Sequence, residues 1–417
     1  MGSPSAIPGT SSVRSRTVLL IVFVTILIDF IGFTVLIPVL PLFAERLGAS
    51  GFQVAMILTL HALAQLLFLP AWGWVSDRIG RRPVILVSLL GTALSFIALA
   101  FADSIEMIYI ARALSGFFAA SIGTAHAVVT DVTPPAERAG GMGVIGATFG
   151  AGMIFGPVLG GLTAQLHPKA PFYSVAILSG LNFLLAWVRL PESRPPGLPK
   201  PSLYELRQSL VPTPLRLMMA VHDRRIALYL YLYFHIFSAF AVLEGLITLY
   251  SGQQFDKGEL DVGLLFMWIG VVLFLTQGVL LNRLVDRIGE TLLVSVGITA
   301  MGLGLTAVSV SPSFAGLYGV GTLIAFGLGI TFPSFTSLYS KACAAENAGE
   351  LMGQSQAMAT TGRIVGPLLG GLIYDSWSQA APFLVAGIMM FVALVMFRFF
   401  QPILVVPDGA RHDRKPA

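Results

Sequence analysis

Apolar runs of roughly twenty residues, each long enough to cross a lipid core of about 30 Å as a helix, follow one another along the chain. Short stretches carrying charge, proline or glycine break them. Runs near 17–43, 53–76, 83–102, 107–130, 140–165 and 171–190 predict six membrane-spanning helices, and a second set near 225–252, 259–282, 291–310, 313–340, 350–375 and 380–403 predicts six more. Between the sets lies 191–224, which opens with the Pro-rich PESRPPGLPKP and continues through a mixed polar stretch expected to form a short surface helix. The pattern therefore predicts an all-α membrane protein. Its parts are an N-terminal segment (1–16), a six-helix bundle (17–190), a linker (191–224), a second six-helix bundle (225–403) and a tail (404–417).

Composition supports lipid as the solvent. Of 417 residues, 55% are hydrophobic and 11% charged, against about 25% charged in an average soluble domain. Cys343 is the single cysteine, so there is neither a disulfide framework nor a thiol metal cluster, and it reads as a small buried apolar residue. The sequence pI of about 9.3 would suit nucleic-acid binding only if the basic residues clustered on one soluble surface. Instead, with both termini cytoplasmic, twenty of the 25 Lys and Arg fall on inside segments, while Arg46, Lys169 and Lys257 lie outside and Arg112 and Arg363 lie within spans. That skew is the positive-inside signature. The apolar run after Arg14 and Arg16 continues to about Phe43 without an Ala-x-Ala site, which predicts an uncleaved first span.

Two motifs occur twice. Gly152-Met-Ile-Phe-Gly156-Pro157-Val-Leu-Gly160-Gly161 recurs as Gly362-Arg-Ile-Val-Gly366-Pro367-Leu-Leu-Gly370-Gly371, and Asp77-Arg78-Ile79-Gly80 recurs as Asp286-Arg287-Ile288-Gly289. Their nearly equal spacing implies duplication. Because that spacing covers an even number of spans, the halves should be parallel repeats about an axis along the membrane normal, with the substrate site between them near mid-membrane.

The segment Gly73-Trp-Val-Ser-Asp77-Arg78-Ile-Gly80-Arg81-Arg82-Pro83 falls in the first cytoplasmic turn. Gly73 would permit close helix approach, Asp77 would cap a helix or meet an arginine, and Pro83 suits a first helical turn. Orientation alone accounts for Arg81 and Arg82. Topology does not require Asp77, which is the candidate gating residue. In the second copy Asn282 and Glu290 replace Gly73 and Arg81. The small residues from Gly152 to Gly161 would let two helices pack closely, and Pro157 frees one backbone hydrogen bond, giving a kink or hinge.

These residues resemble motif A of the major facilitator superfamily. Arg112 to Gly116 is similar to its motif B, and Gly152 to Gly161 to its antiporter motif C. Asp29-Phe-Ile-Gly32 with Pro38-Val-Leu-Pro41 resembles the first helix of the drug:proton antiporter branch that includes bacterial tetracycline exporters. The resemblance implies the major facilitator fold, proton-coupled efflux, a bacterial inner-membrane location and a monomer, with Asp77 and Arg138 helping to hold a closed cytoplasmic gate. It departs from the tetracycline exporters at Ser95, where an intramembrane acid is expected, and across 291–340, which has no charged residue.

Asp29, His61, Arg112, His126, His235, Glu244 and Arg363 lie within predicted spans, where each is costly unless it faces the interior or a watery cavity. Asp29 is the best proton carrier and Arg112 its expected tuning cation; a permanent structural ion pair is the alternative. Glu244 reads as a second proton site, a contact for cationic drugs, or an acid near the outer mouth of span seven. His61 and His126 suit the cavity or hydrogen-bonded packing, and His235 suits packing better. Arg363 stands where the first repeat has Met153; it would attract an anionic group or pair with Glu244 or Asp375. Phe30, Phe33, Phe149, Tyr231, Phe234, Phe237, Phe240 and Trp268 would line an apolar drug cavity or face lipid and core.

With no Walker signature, metal-ligand spacing or nucleophile triad, the proton gradient is the expected energy source, and no cofactor is expected. The expected partners are a lipophilic, cationic or zwitterionic small molecule, protons and membrane lipid, and no nucleic acid. The sequence therefore reads as a proton-driven multidrug exporter working by alternating access. A symporter or lipid and anionic-metabolite transporter of the same fold is the first rival. A non-transporting receptor or scaffold is the second, and a membrane enzyme without a catalytic constellation the third.

Overall fold

A computed structural model describes residues 12–133, 138–194, 202, 224–342 and 348–404. Among them every regular element is helical. The first half holds α1 (Ser12–Arg46), α2 (Gly51–Ile79), α3 (Arg81–Ala100), α4 (Ile105–Phe117), α5 (Ser121–Val132), α6 (Arg138–Leu166) and α7 (Ala170–Arg189). The second holds α8 (Arg224–Phe255), α9 (Glu259–Leu275), a π-helical turn (Thr276–Leu280), α10 (Leu281–Ile288), α11 (Glu290–Val308), α12 (Phe314–Ala342), α13 (Ala348–Ser376), α14 (Ala381–Phe399) and the short α15 (Gln401–Leu404). Eleven spans are long and apolar enough to cross a membrane, with α4–α5 counted as one and α9–α10 as another. The remaining helix, α13, has 29 residues, and its polar first half explains why apolarity alone does not select it.

Polar caps start and stop these helices where the hydrophobic pattern cannot. Ser50 and Gln53 form a reciprocal capping box at the start of α2, and the Ser104 hydroxyl accepts from the N–H of Met107 to open α4. Gly80 and Gly289 occupy equivalent turns of the two halves at φ +112° and +76°, a region that disfavours side chains. On the outside of the bundle, Ile110, Ile177, Val188, Val395 and Phe399 are largely exposed, forming an apolar surface that suits lipid rather than water.

The halves meet through glycine-lined faces. Gly156 lies against Ile31 and Thr34 of α1, and Gly161 against the backbone of Glu259 and Leu260 at the start of α9. In the second copy Gly366 lies against Ser238 of α8, and Gly371 against Gly51 and Phe52 of α2. Motif C therefore packs α6 on two helices at once, one in each half, where the sequence suggested a single close pair. At the end carrying the 47–50 turn, assigned to the outside by the charge distribution, one hydrophobic core joins both halves through residues such as Leu40, Phe43, Leu246 and Tyr250. Toward the 77–82 end, Val22, Ile26, Leu89 and Val128 form a separate cluster confined to the first half. The shared core closes the end carrying the 47–50 turn, and the cavity lies on the other side of it.

Candidate functional site

The fourth span is interrupted. After Phe117 the backbone leaves α4, and α5 begins at Ser121, a break that the single expected span at 107–130 did not foresee. Ser88 of α3 serves the exposed backbone groups: its hydroxyl donates to the carbonyl of Phe118 (2.5 Å) and accepts from the N–H groups of Ala120 (3.2 Å) and Ser121 (3.0 Å). Irregular backbone at membrane depth survives only with such internal partners. Gly91 makes room for the Phe118 ring, which a Cβ there would strike.

The N-terminus of α5 faces Asp29. The Ser121 hydroxyl donates to Asp29 Oδ2, while Asp29 Oδ1 is buried with no hydrogen-bond partner. Arg112, on the other side of the break, is 2% exposed and donates from Nη1 to the Ser115 hydroxyl (3.2 Å). His61 Nδ1 meets the same hydroxyl at 2.8 Å. The expected pairing of Arg112 with Asp29 is thus corrected. The interruption assigns the guanidinium to the end of α4 and the carboxylate to the start of α5, and a serine intervenes on each side. Both nevertheless line one cavity, together with Phe30, Phe33, His61, Gln65, Phe96, Phe149 and Arg363.

That cavity continues toward the second half past Leu58, Ala241, Glu244, Thr360 and Pro367. Arg363 lies 3.9 Å from Glu244 and 5.1 Å from the centre of the Phe33 ring, within cation–π range. Of the two acids proposed for it, Glu244 is the neighbour. Asp375 instead accepts from the N–H groups of Gly51 (2.8 Å) and Phe52 (2.9 Å) at the start of α2.

Several expected cavity residues lie elsewhere. Trp268 is 42% exposed and donates to Thr322 on α12 (2.8 Å), because it points away from the seam that Gly270 makes on the same helix. His126 occupies an exposed face about a turn and a half beyond Ser121. His235 bonds the carbonyl of Tyr231 one turn back (3.0 Å) and packs at a tilt against its ring, 4.0 Å between centres, the packing role its sequence favoured. Phe234 packs edge-on to His235 and Phe237 packs with Tyr233 and Phe332, and neither lines the cavity. Gln65, Ser115 and Ser121 do line it and escaped the sequence reading, since hydroxyl and amide residues are ordinary within helices.

At the 77–82 turn, Arg81 donates from Nε to Asp131 at the end of α5 (3.1 Å) and from Nη1 to Asp77. Glu192 accepts from the N–H groups of Arg81 (2.9 Å) and Arg82 (3.1 Å), capping α3. Arg78 lies over the Trp74 ring at 5.1 Å. Among the described residues nothing stands within 4 Å of a Cβ built on Gly73, so the close helix approach expected there is not seen among them. The Arg138 side chain lies outside the described residues, as do Cys343 and most of the 191–224 linker.

A scan against family models matches the Major Facilitator Superfamily over residues 22–363 and 262–416. The chain belongs to the major facilitator superfamily. Among the similar relatives of this superfamily, the class E tetracycline resistance protein of Escherichia coli is 31% identical over 406 residues, covering 96% of this chain and 98% of that one. Multidrug resistance protein 2 of Bacillus subtilis is 26% identical over 387 residues, covering 91% and 94%. A solved POT family transporter in complex with a thioalcohol-conjugated peptide shares the fold with a TM-score of 0.79 at 13% identity, covering 94% of this chain and all of that one. The likeness to major facilitators thus extends over both halves and identifies an integral multi-pass membrane protein.

Proposed function

We propose that this protein is a proton-coupled exporter of lipophilic small molecules, a transporter rather than an enzyme, acting by alternating access with Asp29 as the proton site. The observation that carries this reading is the position of Asp29, a carboxylate facing the cavity between the halves and tied to the start of an interrupted helix. Partial positive charge at the start of α5 attracts the carboxylate but not the neutral acid, so proton uptake loosens the tie between α1 and α5. Substrate arriving from the open end displaces the proton, and only the substrate-loaded or proton-loaded carrier changes its facing direction. The named substrates and resistance functions of the relatives support small-molecule export for this chain. Arg81, Asp77 and Asp131 act in this scheme as the hinge-side latch of the first half.

The test is transport by the full chain in proteoliposomes carrying an internal pH dye. With an imposed pH gradient, a lipophilic cation or a tetracycline should move against protons, and Asp29→Asn should abolish the exchange while the purified variant keeps its unfolding temperature. Movement of substrate and protons in the same direction would replace export with symport. Opposed fluxes untouched by the substitution would move the proton site to Glu244.

A further inference from the structure

The second and eighth spans, equivalent in the two halves, change character at the same level. Toward the 47–50 end each is seated against the other half. Gly263 of α9 lies against the Pro157 carbonyl of α6, and Gly270 lies against Met153 and Ile154. α2 meets α13 from the Asp375 cap at Gly51 to the Thr59 hydroxyl, which donates to the carbonyl of Ile364 (3.2 Å). Toward the 77–82 end the seating stops. Among the described residues α10 has no buried residue, and between Pro70 and the end of α2 Ser76 alone is buried.

At the changeover both backbones leave regular α-helical bonding, by different means. Pro70 lies inside α2; it has no N–H to give to the carbonyl one turn back, which bends a helix. The eighth span uses an added residue. There the N–H of Leu281 bonds the carbonyl of Thr276, five residues back, the spacing of a π-turn. The addition is visible in the repeat. Ser50 and Gly258 are equivalent N-caps, each donating its N–H to the side chain three residues on, Gln53 (2.9 Å) or Asp261 (3.3 Å), and Gly80 and Gly289 are equivalent C-caps. One residue more lies between Gly258 and Gly289 than between Ser50 and Gly80. Counted back from those C-caps, Pro70 matches Val279, inside the π-turn. Copying alone would have given both halves the same irregularity, so two unlike devices at one matched position point to a shared mechanical need. Gly329 of α12 makes room for the Thr276 side chain and so seats the upper edge of the turn, whereas among the described residues nothing stands within 4 Å of a Cβ built on Gly278.

We propose that Pro70 and the π-turn at 276–280 are paired hinges, on which the last turns of α2 and the whole of α10 swing inward to shut the 77–82 end while the segments on the other side of them move with their halves. This goes beyond the export reading and rests on its alternating access. Gly80 and Gly289, both at positive φ, form the second joint of each swinging segment. Hinges of this kind are a few positions that absorb the backbone change, leaving packed seams intact.

Spin-label pairs placed within one half read the hinges directly, because rocking of rigid halves leaves such distances unchanged. In a Cys343→Ser background, Ile288→Cys with Phe399→Cys joins α10 to the end of α14, and Ile79→Cys with Val188→Cys joins α2 to the end of α7; all four positions are exposed. The full chain in nanodiscs should show a change in both distances between acidic and alkaline buffer, in step with a pair across the opposite end at Gln165 and Pro312. Deleting Gly278 converts the π-turn to α-helix without rotating α10, since a π-turn holds one added residue. That variant should lose the Ile288–Phe399 change, keep the Ile79–Val188 change and lower proton-linked flux about tenfold at an unchanged unfolding temperature. Pro70→Ala, the milder substitution, should do the converse. Movement of the Gln165–Pro312 pair with both intra-half distances fixed would overturn the hinges and leave alternating access of rigid halves standing. Intra-half changes that survive both variants would overturn the hinges as well. If no pair moves, alternating access fails and the hinges fail with it.

Discussion

Ser88 shows how one hydroxyl can set the geometry of a distant site. It is fully buried, and its bonds to Phe118, Ala120 and Ser121 hold the break that aims α5 at Asp29. Ser88→Ala leaves the Ser121 N–H without an acceptor, for which a cost of about 2 kcal/mol is expected. Unfolding in mixed SDS micelles should show that loss, and proton-linked flux should fall with it, since Ser121 no longer keeps its place on the carboxylate. Unchanged stability would mean that the break is held by packing of Phe118 on Gly91. At this scale the sequence was informative about charge and silent about hydroxyls. Asp29, Arg112, Glu244 and Arg363 stand out because ions in apolar runs need a reason. Ser88, Ser115 and Ser121 do not, because serine is common in membrane helices and bonds locally. The break itself falls in Phe-Phe-Ala-Ala, with neither proline nor glycine within it to mark it, so the expected Arg112–Asp29 pair failed with the helix on which it was drawn.

The repeated helices conserve one latch with its charges exchanged. In the first half Arg81, just after the Gly80 turn, bonds Asp131 at the end of α5. In the second, Glu290, just after the Gly289 turn, bonds Lys341 near the end of α12 (2.7 Å) and the Ser337 hydroxyl (2.7 Å). Each pair ties the third span of its half to the fourth, and each has an aspartate four residues before it, Asp77 or Asp286. The repeat was legible from the Asp-Arg-Ile-Gly text, whereas the exchanged partners lie some fifty residues away and carry no shared motif. The geometry predicts tolerance of reversal. Arg81→Glu alone places two acids together and should reduce transport at least tenfold, about 1.4 kcal/mol or more of lost latch energy. Arg81→Glu with Asp131→Lys should recover most of the activity, because the second half already holds that arrangement. Equal loss in the single and double variants would assign Arg81 a role that its ion pair does not explain, such as its bond to Asp77.

For the whole molecule, the question is what holds the end carrying the 47–50 turn shut, the outer end if the charge distribution sets the orientation. Among the described residues, four polar ties cross between the halves there: Arg46 to Glu259, Gln253 to Glu45 (2.7 Å), the Thr248 hydroxyl to the carbonyl of Ile37 (2.9 Å), and Asp375 to the first N–H groups of α2. They are not equal. Arg46 is about half exposed, and exposed ion pairs contribute roughly 0–1 kcal/mol. Asp375 places a charge on two N–H donors at a helix N-terminus, an arrangement worth about 1 kcal/mol at an exposed cap, and it must let go when the halves part at this end. Asp375→Asn should therefore shift the balance between outer-closed and outer-open forms about fivefold toward the open one. Spin labels at Gln165 and Pro312, on opposite halves of the outer rim, would report the change as a growing long-distance population in a Cys343→Ser background. Arg46→Gln should move the same distribution less. If Arg46→Gln opens the rim as much as Asp375→Asn, the ion pair is the principal latch and the cap of α2 is incidental. If neither does, the shared core around Leu40, Phe43, Leu246 and Tyr250 holds the end closed by burial alone, and opening must be driven by what happens at Asp29.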